Sequence, residues 1–271
     1  MDRHDLYELC VQSPEVLAGL LREIHGRDPV VLAEDFAGTA ALSHSWVGLS
    51  PELQAFATDL DALALARRGG HERIVTHTGD ALESTHAADV VFVGNFSIGY
   101  IHERTALVDY LRRAHGRLAE RGGVFVCDTY GGESAFIEGS VHRKHPIPAE
   151  LGDANGLPRG AIVRYTWEQR EADAITGRVL NALHFRIEVG GEIVEELTDA
   201  FVYDWRLWSV PELRDAMDEA GFAETGVYDA EPDAQDEDGR MWARRIAHGQ
   251  ELDEHFIVLV AGRARMSATG S

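Results

Sequence analysis

Four short polar segments carry the side chains with which this sequence could do chemistry. They are residues 34–39, 59–61, 78–81 and 94–97, and each follows a short apolar run that is typical of a buried β-strand. In open α/β sheets, ligands bind at the carboxyl ends of the strands. Suitable groups after four consecutive strands, in order, therefore predict one ligand site at one edge of a sheet.

The first two segments are suited to a nucleoside. In VVLAEDFAGTAAL a strand ends at Glu34, and a turn of small residues around Gly38 leads into a helix N-terminus, so the backbone can approach a ligand closely. Gly38 could equally mark only a tight turn. Asp59 lies about 20 residues further on, where a carboxylate can accept both hydroxyls of a ribose. Asp61 competes for that role, but we expect it to cap the following helix.

The other two segments complete the pattern. Asp80 and the backbone amide of Ala81 can recognise the edge of an adenine. Asn95, Phe96 and Ser97 follow the fourth strand, at the sheet edge where reacting groups usually lie. The sequence thus predicts that the four segments surround a single cavity of nucleoside shape.

An alternation of strands and helices must position these segments. Two short helices separated at Ser13-Pro14 come first, and a long amphipathic helix is predicted over residues 103–121. Predicted strands lie near residues 29–33, 54–59, 74–77, 88–94 and 123–130. This βαβ alternation indicates a parallel, doubly wound sheet with helices on both faces.

The second half of the chain has a different pattern. Residues 142–160 combine three prolines and three glycines with polar residues, which predicts a long loop or lid. Apolar and polar residues alternate over residues 161–170, 177–189 and 193–207, which predicts antiparallel strands.

A last helix and two strands are predicted at the end of the chain. Ser209 and Glu212 have the spacing of a capping box, and Gly221 ends the helix that follows. Two final strands, near residues 224–229 and 255–262, bracket an acidic loop.

These segments resemble the motifs of the class I S-adenosylmethionine-dependent methyltransferases, most strongly over residues 30–130. LAEDFAGTA resembles the first motif, an acid followed by x-G-x-G-x-G, with Glu34 as the acid and with Phe36 and Ala40 where glycine is commoner. ATDLD resembles the ribose-binding motif and GDA the adenine-contacting one. RLAERGGVFVCDTY resembles the L-x-P-G-G turn into strand five, with Arg121 in place of proline.

The resemblance implies a fold, a cofactor and a set of binding residues. The fold is a doubly wound, seven-stranded, mostly parallel sheet of Rossmann-like type, and WSVPELRDAMDEAGF and HFIVLVAGR resemble its last helix and antiparallel strand. The cofactor is S-adenosyl-L-methionine, with S-adenosyl-L-homocysteine as the product. Glu34 would orient the methionine amino group directly or through water, Asp59 would hold the ribose, and Asp80 with Ala81 would meet the adenine. The implied cofactor-binding residues are Glu34, Phe36, Gly38, Thr39, Asp59, Leu60, Asp80, Ala81, Asn95, Phe96 and Ser97.

The resemblance also implies methyl transfer to a small-molecule acceptor by in-line displacement. Such a reaction requires alignment of the nucleophile with the methyl group and exclusion of water. Tyr100, His102 and Tyr130 are candidate general bases or catalytic groups, and Tyr7, Tyr130 and His184 are candidates for binding the acceptor. His102 could instead cap a helix, and His184 could face solvent.

We expect one methyltransferase domain over residues 1–271. Residues 1–28 would form a helical cap, and residues 131–208 would form an inserted loop and antiparallel β region that covers the active site. The aromatic side chains of the insertion could enclose a flat or cationic acceptor. They could equally pack the extra sheet against the main domain, and the methylated atom does not follow from the sequence.

Composition restricts the partners and the location. The chain has 46 acidic and 25 basic residues, for a net charge of −21, which repels nucleic acids and anionic lipids. It has no apolar run of the roughly 20 residues that span a bilayer and no signal-peptide pattern, so we expect a cytoplasmic protein. Cys10 and Cys127 lack metal-ligand spacing, which predicts buried free thiols and no metal. Homodimer formation is left open.

Three other functions stay open at this point. A dinucleotide dehydrogenase normally has G-x-G-x-x-G, whereas this turn has one glycine. A nucleic-acid or protein methyltransferase would require a basic groove at residues 142–159. A protein that binds the cofactor without turnover is suggested by the same single-glycine turn.

Overall fold

The computed structural model describes residues 1–118, 122–236 and 241–265. The helices are α1 (Arg3–Val11), α2 (Pro14–His25), α3 (Ala41–Gly48), α4 (Ala62–Ala66), α5 (Arg104–Leu118), α6 (Ala149–Ala154) and α7 (Val210–Ala220). The strands are β1 (Val31–Asp35), β2 (Gln54–Asp59), β3 (Ile74–Thr78), β4 (Val90–Val93), β5 (Val124–Gly131), β6 (Gly139–Pro146), β7 (Ile162–Asp173), β8 (Arg178–Val189), β9 (Glu192–Arg206), β10 (Glu224–Gln235), β11 (Met241–Arg245) and β12 (Phe256–Arg263). Arg121, which the resemblance places at a proline position, lies outside the described residues.

The chain divides into two compact units. The core unit comprises Pro14–Ala135 and the chain from Trp208 onward, and the insert unit comprises Met1–Ser13 and Phe136–Leu207. The sequence predicted one domain with a single N-terminal cap. The structure assigns α1 to the insert unit and α2 to the core unit, because the apolar side chains of the two helices pack into different hydrophobic clusters. The single domain with an N-terminal cap stays a prediction.

The core unit is built on one sheet with the strand order β11-β10-β12-β5-β4-β1-β2-β3. The strands β1 to β5 are parallel to one another, and β12 is antiparallel to both β5 and β10. The predicted doubly wound, mostly parallel sheet is therefore confirmed. The seven strands from β10 to β3 match the prediction, and β11 adds an eighth at the edge.

The helices bury both faces of this sheet. On one face, α5 contributes the three leucines that the sequence placed on its apolar side, Leu107, Leu111 and Leu118, and all three are fully buried. On the other face, Leu21 of α2 and Trp46 of α3 pack against the alternate side chains of the same strands. Burial on both faces explains why the parallel strands are short continuous apolar runs.

The insert unit holds an antiparallel sheet with the order β6-β7-β8-β9. The alternation of residues predicted three of these strands, and the structure confirms β7, β8 and β9. Leu6 and Cys10 of α1 lie in the apolar cluster of this unit with Tyr165, Leu183 and Phe185.

Two segments predicted as loops contain regular structure. Residues 142–160 are not a long loop, because β6 pairs with β7 and α6 follows it. The prediction of an acidic loop before the last strand is also partly wrong, because β10 extends to Gln235 and pairs with β11. Both β6 and the outer half of β10 are mostly exposed and contain few apolar side chains, so they lack the apolar alternation by which a strand is recognised.

Two predictions from composition can be compared with the structure. Cys10 and Cys127 are both buried free thiols, as the sequence predicted. Within residues 1–118, 122–236 and 241–265, none of the helices has the length and apolar character that crossing a bilayer requires.

Candidate functional site

Strand register brings the polar segments to one edge of the core sheet. Asp35 at the end of β1 is level with Thr58 of β2 and with Val93 of β4. Asp59, the next residue of β2, is level with Thr78 at the end of β3. The segments that follow these strands therefore leave the sheet side by side.

The turn after β1 has the left-handed backbone that glycine adopts most easily, although not all of its residues are glycine. Phe36, Gly38 and Ala40 have φ values of 58°, 54° and 56°, in the left-handed region. These are the three positions at which the resemblance expects glycine. A left-handed conformation costs a residue with a side chain about 1–2 kcal/mol, so surrounding contacts must hold Phe36 and Ala40 in place. The turn is thus left-handed at all three of these positions, although only one of them is glycine.

Hydrogen bonds tie this turn to β2. The Ala37 amide donates to the Thr58 carbonyl at 3.0 Å, and the Gly38 amide donates to Asp59 Oδ2 at 2.7 Å. A Cβ atom built on Gly38 would meet no described atom within 4 Å. The backbone at Gly38 therefore borders open space, while its amide is anchored to the carboxylate.

Asp59 connects three of the four predicted segments. Besides the Gly38 amide, its carboxylate accepts the Asp61 amide at 2.8 Å, and its carbonyl accepts the Gly79 amide at 2.9 Å. An ionised carboxylate has about four lone-pair positions, so acceptor capacity remains for ligand hydroxyls. Leu60, the next residue, is 74% exposed and presents apolar surface beside the carboxylate.

The two neighbouring acids have local structural roles. Asp61 caps α4 by accepting its first amides, as the sequence predicted. Asp80 caps the 3₁₀ helix Ala81–Glu83 and accepts the Leu82 amide at 2.9 Å. Ala81 is buried directly after it. The adenine-binding role of Asp80 and Ala81 stays a prediction.

Glu34 is a buried carboxylate at the start of α3. Its Oε2 accepts the Ser43 amide at 2.8 Å and the Ser43 hydroxyl at 2.5 Å. The helix has Ala40 as its N-cap, which offers no capping side chain, so Glu34 satisfies this amide instead. Burial raises the pKa of Glu34 to about 7, and the charge of Asp59 acts in the same direction. A cationic ligand group would favour the ionised form.

A buried ion pair that the sequence did not predict lies beneath the same turn. Asp35 accepts two bonds from the Arg117 guanidinium, at 2.6 and 3.2 Å, and a third from the Tyr110 hydroxyl at 2.7 Å. Arg117 also donates from Nε to the His86 carbonyl at 2.9 Å. The Asp35 and Arg117 side chains are only 1% and 4% exposed. The pair joins β1, α5 and the segment before β4.

Asp128, in the second half of β5, is a second functional candidate that sequence reasoning missed. It follows Cys127, which is level with the last residue of β4. Its two carboxylate oxygens accept the amides of Asn95 and Phe96, at 2.8 and 2.7 Å. Asn95 and Phe96 both have left-handed backbones, with φ values of 55° and 60°. The signal was present in VFVCDTY, where an acid follows a short apolar run, as Glu34 and Asp59 do.

The first two candidate catalytic residues follow β4. Tyr100 ends the 3₁₀ helix Ser97–Tyr100, is 45% exposed and stacks on Phe36 with ring centroids 6.2 Å apart. His102 lies between this 3₁₀ helix and α5. Both are thus on the segment that leaves the sheet edge next to the turn after β1, and their catalytic roles stay predictions.

Tyr130 and a histidine that sequence reasoning missed lie at the end of β5. Tyr130 is buried, and its ring meets Phe96 edge-on at 5.1 Å. The His255 ring lies 5.7 Å from Tyr130. His255 precedes β12 in an acidic stretch, and only the antiparallel pairing of Ile257 with Tyr130 brings it to this edge.

His184 of the insert unit has contacts at both ring nitrogens. Its Nε2 lies 3.0 Å from Glu168, and its Nδ1 accepts the Asp199 amide at 3.0 Å. These three side chains have potential metal-ligating atoms within 4.8 Å of one another. Arg170 forms ion pairs with both carboxylates, so one positive side chain already offsets part of their charge.

The remaining predicted residues are distributed over both units. Thr39 and Ser97 are buried in the turns that follow β1 and β4. Tyr7 of α1 packs on Phe201 of β9, with ring centroids 5.0 Å apart. The structure thus brings the predicted cofactor residues to the edge of the core sheet, whereas Tyr7 and His184 make their described contacts inside the insert unit.

Known structures provide the comparison for this fold. No family model matches the chain, and no curated protein matches it. The sugar N-methyltransferase KedS8 from a Streptoalloteichus species is 18% identical with a TM-score of 0.62, over 97% of this chain and 92% of that one. CalS10, an amino pentose methyltransferase from Micromonospora echinaspora, is 17% identical with a TM-score of 0.63, over 96% of both chains.

A third solved structure also matches this chain over nearly its whole length. An S-adenosylmethionine-dependent methyltransferase from Clostridium acetobutylicum is 13% identical with a TM-score of 0.62, over 97% of both chains. The strand order of the core sheet and these likenesses define the class of fold. The chain has the fold of the class I S-adenosylmethionine-dependent methyltransferases, with an antiparallel β insertion.

Proposed function

We propose that this chain is an S-adenosylmethionine-dependent methyltransferase that acts on a small-molecule acceptor. The observation that carries the proposal is the turn after β1, which is left-handed at all three glycine positions of the family motif and is anchored to Asp59. Strained backbone of this kind clusters at ligand-binding and active sites, which supports a ligand at this turn. The full-length likeness to methyltransferase structures supports the same function.

The residues at the sheet edge fit the cofactor. Asp59 has free acceptor capacity for two ribose hydroxyls, and the exposed Leu60 offers an apolar surface for the adenine. Glu34 supplies a carboxylate of raised pKa that a methionine ammonium would neutralise. When bound, the cofactor supplies a methyl group on a positively charged sulfur. The chain's own tasks are to bind it, to align the acceptor and to exclude water.

The acceptor side is proposed from the residues beside this edge. Tyr100, His102 and Tyr130 remain the candidates to hold or remove the acceptor's proton, and His255 joins them through its contact with Tyr130. Two of the similar structures are named as sugar and amino pentose methyltransferases, which supports amino sugars as the first acceptors to screen. The cytoplasmic location and the homodimer stay predictions.

A ligand comparison followed by a turnover assay tests the function. Purified protein is expected to show a higher melting temperature with S-adenosylhomocysteine and no change with NADH. Incubation with isotope-labelled cofactor and a set of amino sugars or a metabolite extract is then expected to yield a labelled small molecule by mass spectrometry. Stabilisation by NADH alone would contradict the proposal, and cofactor binding without any labelled product would support a non-catalytic binding protein.

Glu34 should make cofactor affinity depend on pH. The pKa of Glu34 in the folded protein, about 7, lies above its ordinary value of 4.5. Between these two pH values the native state binds a proton that the unfolded state does not bind. This proton stabilises the folded protein, and the stabilisation is lost as pH rises through 7. The cofactor's ammonium favours the ionised form. The wild-type affinity for S-adenosylhomocysteine should therefore rise about tenfold from pH 6 to pH 8, measured by calorimetry.

Two variants isolate this effect. Glu34→Gln keeps an oxygen acceptor for Ser43 but cannot ionise, so its affinity at pH 8 should be low and nearly independent of pH. Ser43→Ala removes a bond that lowers the pKa of Glu34, so the midpoint should move to higher pH. Burial also raises the pKa of Asp128 to about 7, so this group ionises over the same pH range. The pH profile of each variant is therefore measured with and without the additional change Asp128→Asn. An unchanged pH profile in Glu34→Gln would exclude Glu34 as the ammonium partner.

A further inference from the structure

The turn after β4 is held from below by one side chain of the neighbouring strand. The two oxygens of Asp128 each accept one amide from two consecutive residues, Asn95 and Phe96. Both residues have left-handed backbones, a conformation that side chains disfavour. Hydrogen bonds from neutral donors to a carboxylate are stronger than those to neutral acceptors, so Asp128 compensates this strain directly.

The turn controls the direction of the segment after it. Phe96 is the N-cap of the 3₁₀ helix Ser97–Tyr100 and caps it without a side-chain bond. Its ring meets Tyr130 at 5.1 Å, and Tyr100 at the end of the same helix stacks on Phe36 of the turn after β1. The backbone direction at Phe96 therefore sets the positions of aromatic groups on both sides of the sheet edge.

We propose that Asp128 is a positioning residue for the cofactor: its carboxylate holds the Asn95–Phe96 turn in the conformation that receives the methionine part. This role rests on the proposed methyltransferase function. The desolvated position raises the pKa of Asp128 to about 7, although two amides donate to it. Ionisation of Asp128 in this position therefore lowers the stability of the folded protein. Such a cost is expected where a carboxylate serves the geometry of a functional site.

The geometry requires a carboxylate. Two amide donors converge on two oxygens, one donor on each. An asparagine side chain would offer one oxygen, and its NH₂ group would face the other backbone donor. Asp128→Asn is therefore a nearly isosteric change that should release one of the two amides.

Asp89 provides a matched control at the opposite edge of the sheet. Its Oδ2 accepts the amides of two consecutive residues, Val30 and Val31, each at 2.9 Å. Asp89 precedes β4, whereas Asp128 lies near the end of β5, so it braces the amino ends of the strands rather than the ligand edge. Because both amides donate to the same oxygen, the side-chain oxygen of the asparagine in Asp89→Asn could still accept them. Asp89→Asn therefore makes the same chemical change, a carboxylate to an amide, away from the candidate site and without requiring the release of a backbone amide.

The experiment compares the wild type, Asp128→Asn and Asp89→Asn in two measurements. Hydrogen–deuterium exchange of the ligand-free proteins should show exchange of the Asn95 and Phe96 amides at least tenfold faster in Asp128→Asn only. Calorimetry should show an affinity for S-adenosylhomocysteine at least tenfold weaker in Asp128→Asn and within twofold of wild type in Asp89→Asn. Melting temperatures of both ligand-free variants show whether each one folds.

The outcomes separate this role from the proposed function. A wild type that does not bind S-adenosylhomocysteine overturns the methyltransferase proposal and the positioning role with it. Binding by the wild type with unchanged affinity in Asp128→Asn overturns the positioning role alone. If Asp128→Asn does not fold, the wild-type exchange decides: Asn95 and Phe96 amides that exchange as fast as those of an exposed loop overturn the role, and protected amides support it.

Discussion

Replacement of Asp59 by alanine is expected to abolish the thermal stabilisation that S-adenosylhomocysteine gives the wild type. The change removes the proposed acceptor of both ribose hydroxyls and also the anchor of the Gly38 amide. A hydrogen bond to a charged group contributes about 1.5–3 kcal/mol, so two such bonds correspond to an affinity loss of about 100-fold or more. Calorimetric titration and thermal shift measure the loss directly.

Asp61→Ala is the control for this change. Asp61 is a carboxylate two residues away that caps α4 and accepts two of its amides. Loss of such a cap costs about 1 kcal/mol of stability, and cofactor affinity should not change. An Asp59→Ala variant that is still stabilised as the wild type is would show that the ribose binds elsewhere.

Replacement of Arg117 by leucine is expected to lower the free energy of unfolding by about 3–5 kcal/mol. The variant leaves the Asp35 carboxylate in a buried position, where the Tyr110 hydroxyl is the remaining side-chain donor among the described residues. It also removes the bond from Arg117 to the His86 carbonyl. Urea unfolding followed by circular dichroism gives the difference.

Two comparisons show whether the buried, unpaired charge of Asp35 causes the loss of stability in Arg117→Leu. Arg112 forms ion pairs with Asp109 and Glu219 but is 50% exposed, so Arg112→Leu should cost less than about 1 kcal/mol. The double variant Arg117→Leu with Asp35→Leu removes both charges and should recover much of the loss. Equal losses in the exposed and buried single variants would contradict the prediction.

The elements of the core unit follow well from local sequence patterns. β2 has the predicted bounds of 54–59, and the capping box of Ser209 and Glu212 begins α7 as predicted. Leucines at helical spacing identified the buried side of α5. Each of these features is encoded by residues close together in the chain, through side-chain period or through a cap.

The exposed edge elements could not be predicted in the same way. β6 is a strand because its backbone pairs with β7, although nearly all of its residues are exposed and most of its side chains are polar. β11 is likewise defined by its pairing with β10. The side chains of β6 are almost all exposed, and β11 turns only Met241 and Ala243 toward the core. Neither strand therefore has an apolar alternation long enough to predict it, and the pattern indicated loops.

The sequence by itself determined the fold class and the polar residues that follow the first four strands. It also predicted that Asp61 caps α4. Only the tertiary structure brought Asp128 to Asn95, 33 residues away, and Arg117 to Asp35, 82 residues away. The reason is physical: periodicity and caps act within a few residues, whereas these contacts depend on the order in which strands and helices pack. Buried charges in particular become visible only when that packing removes their solvent.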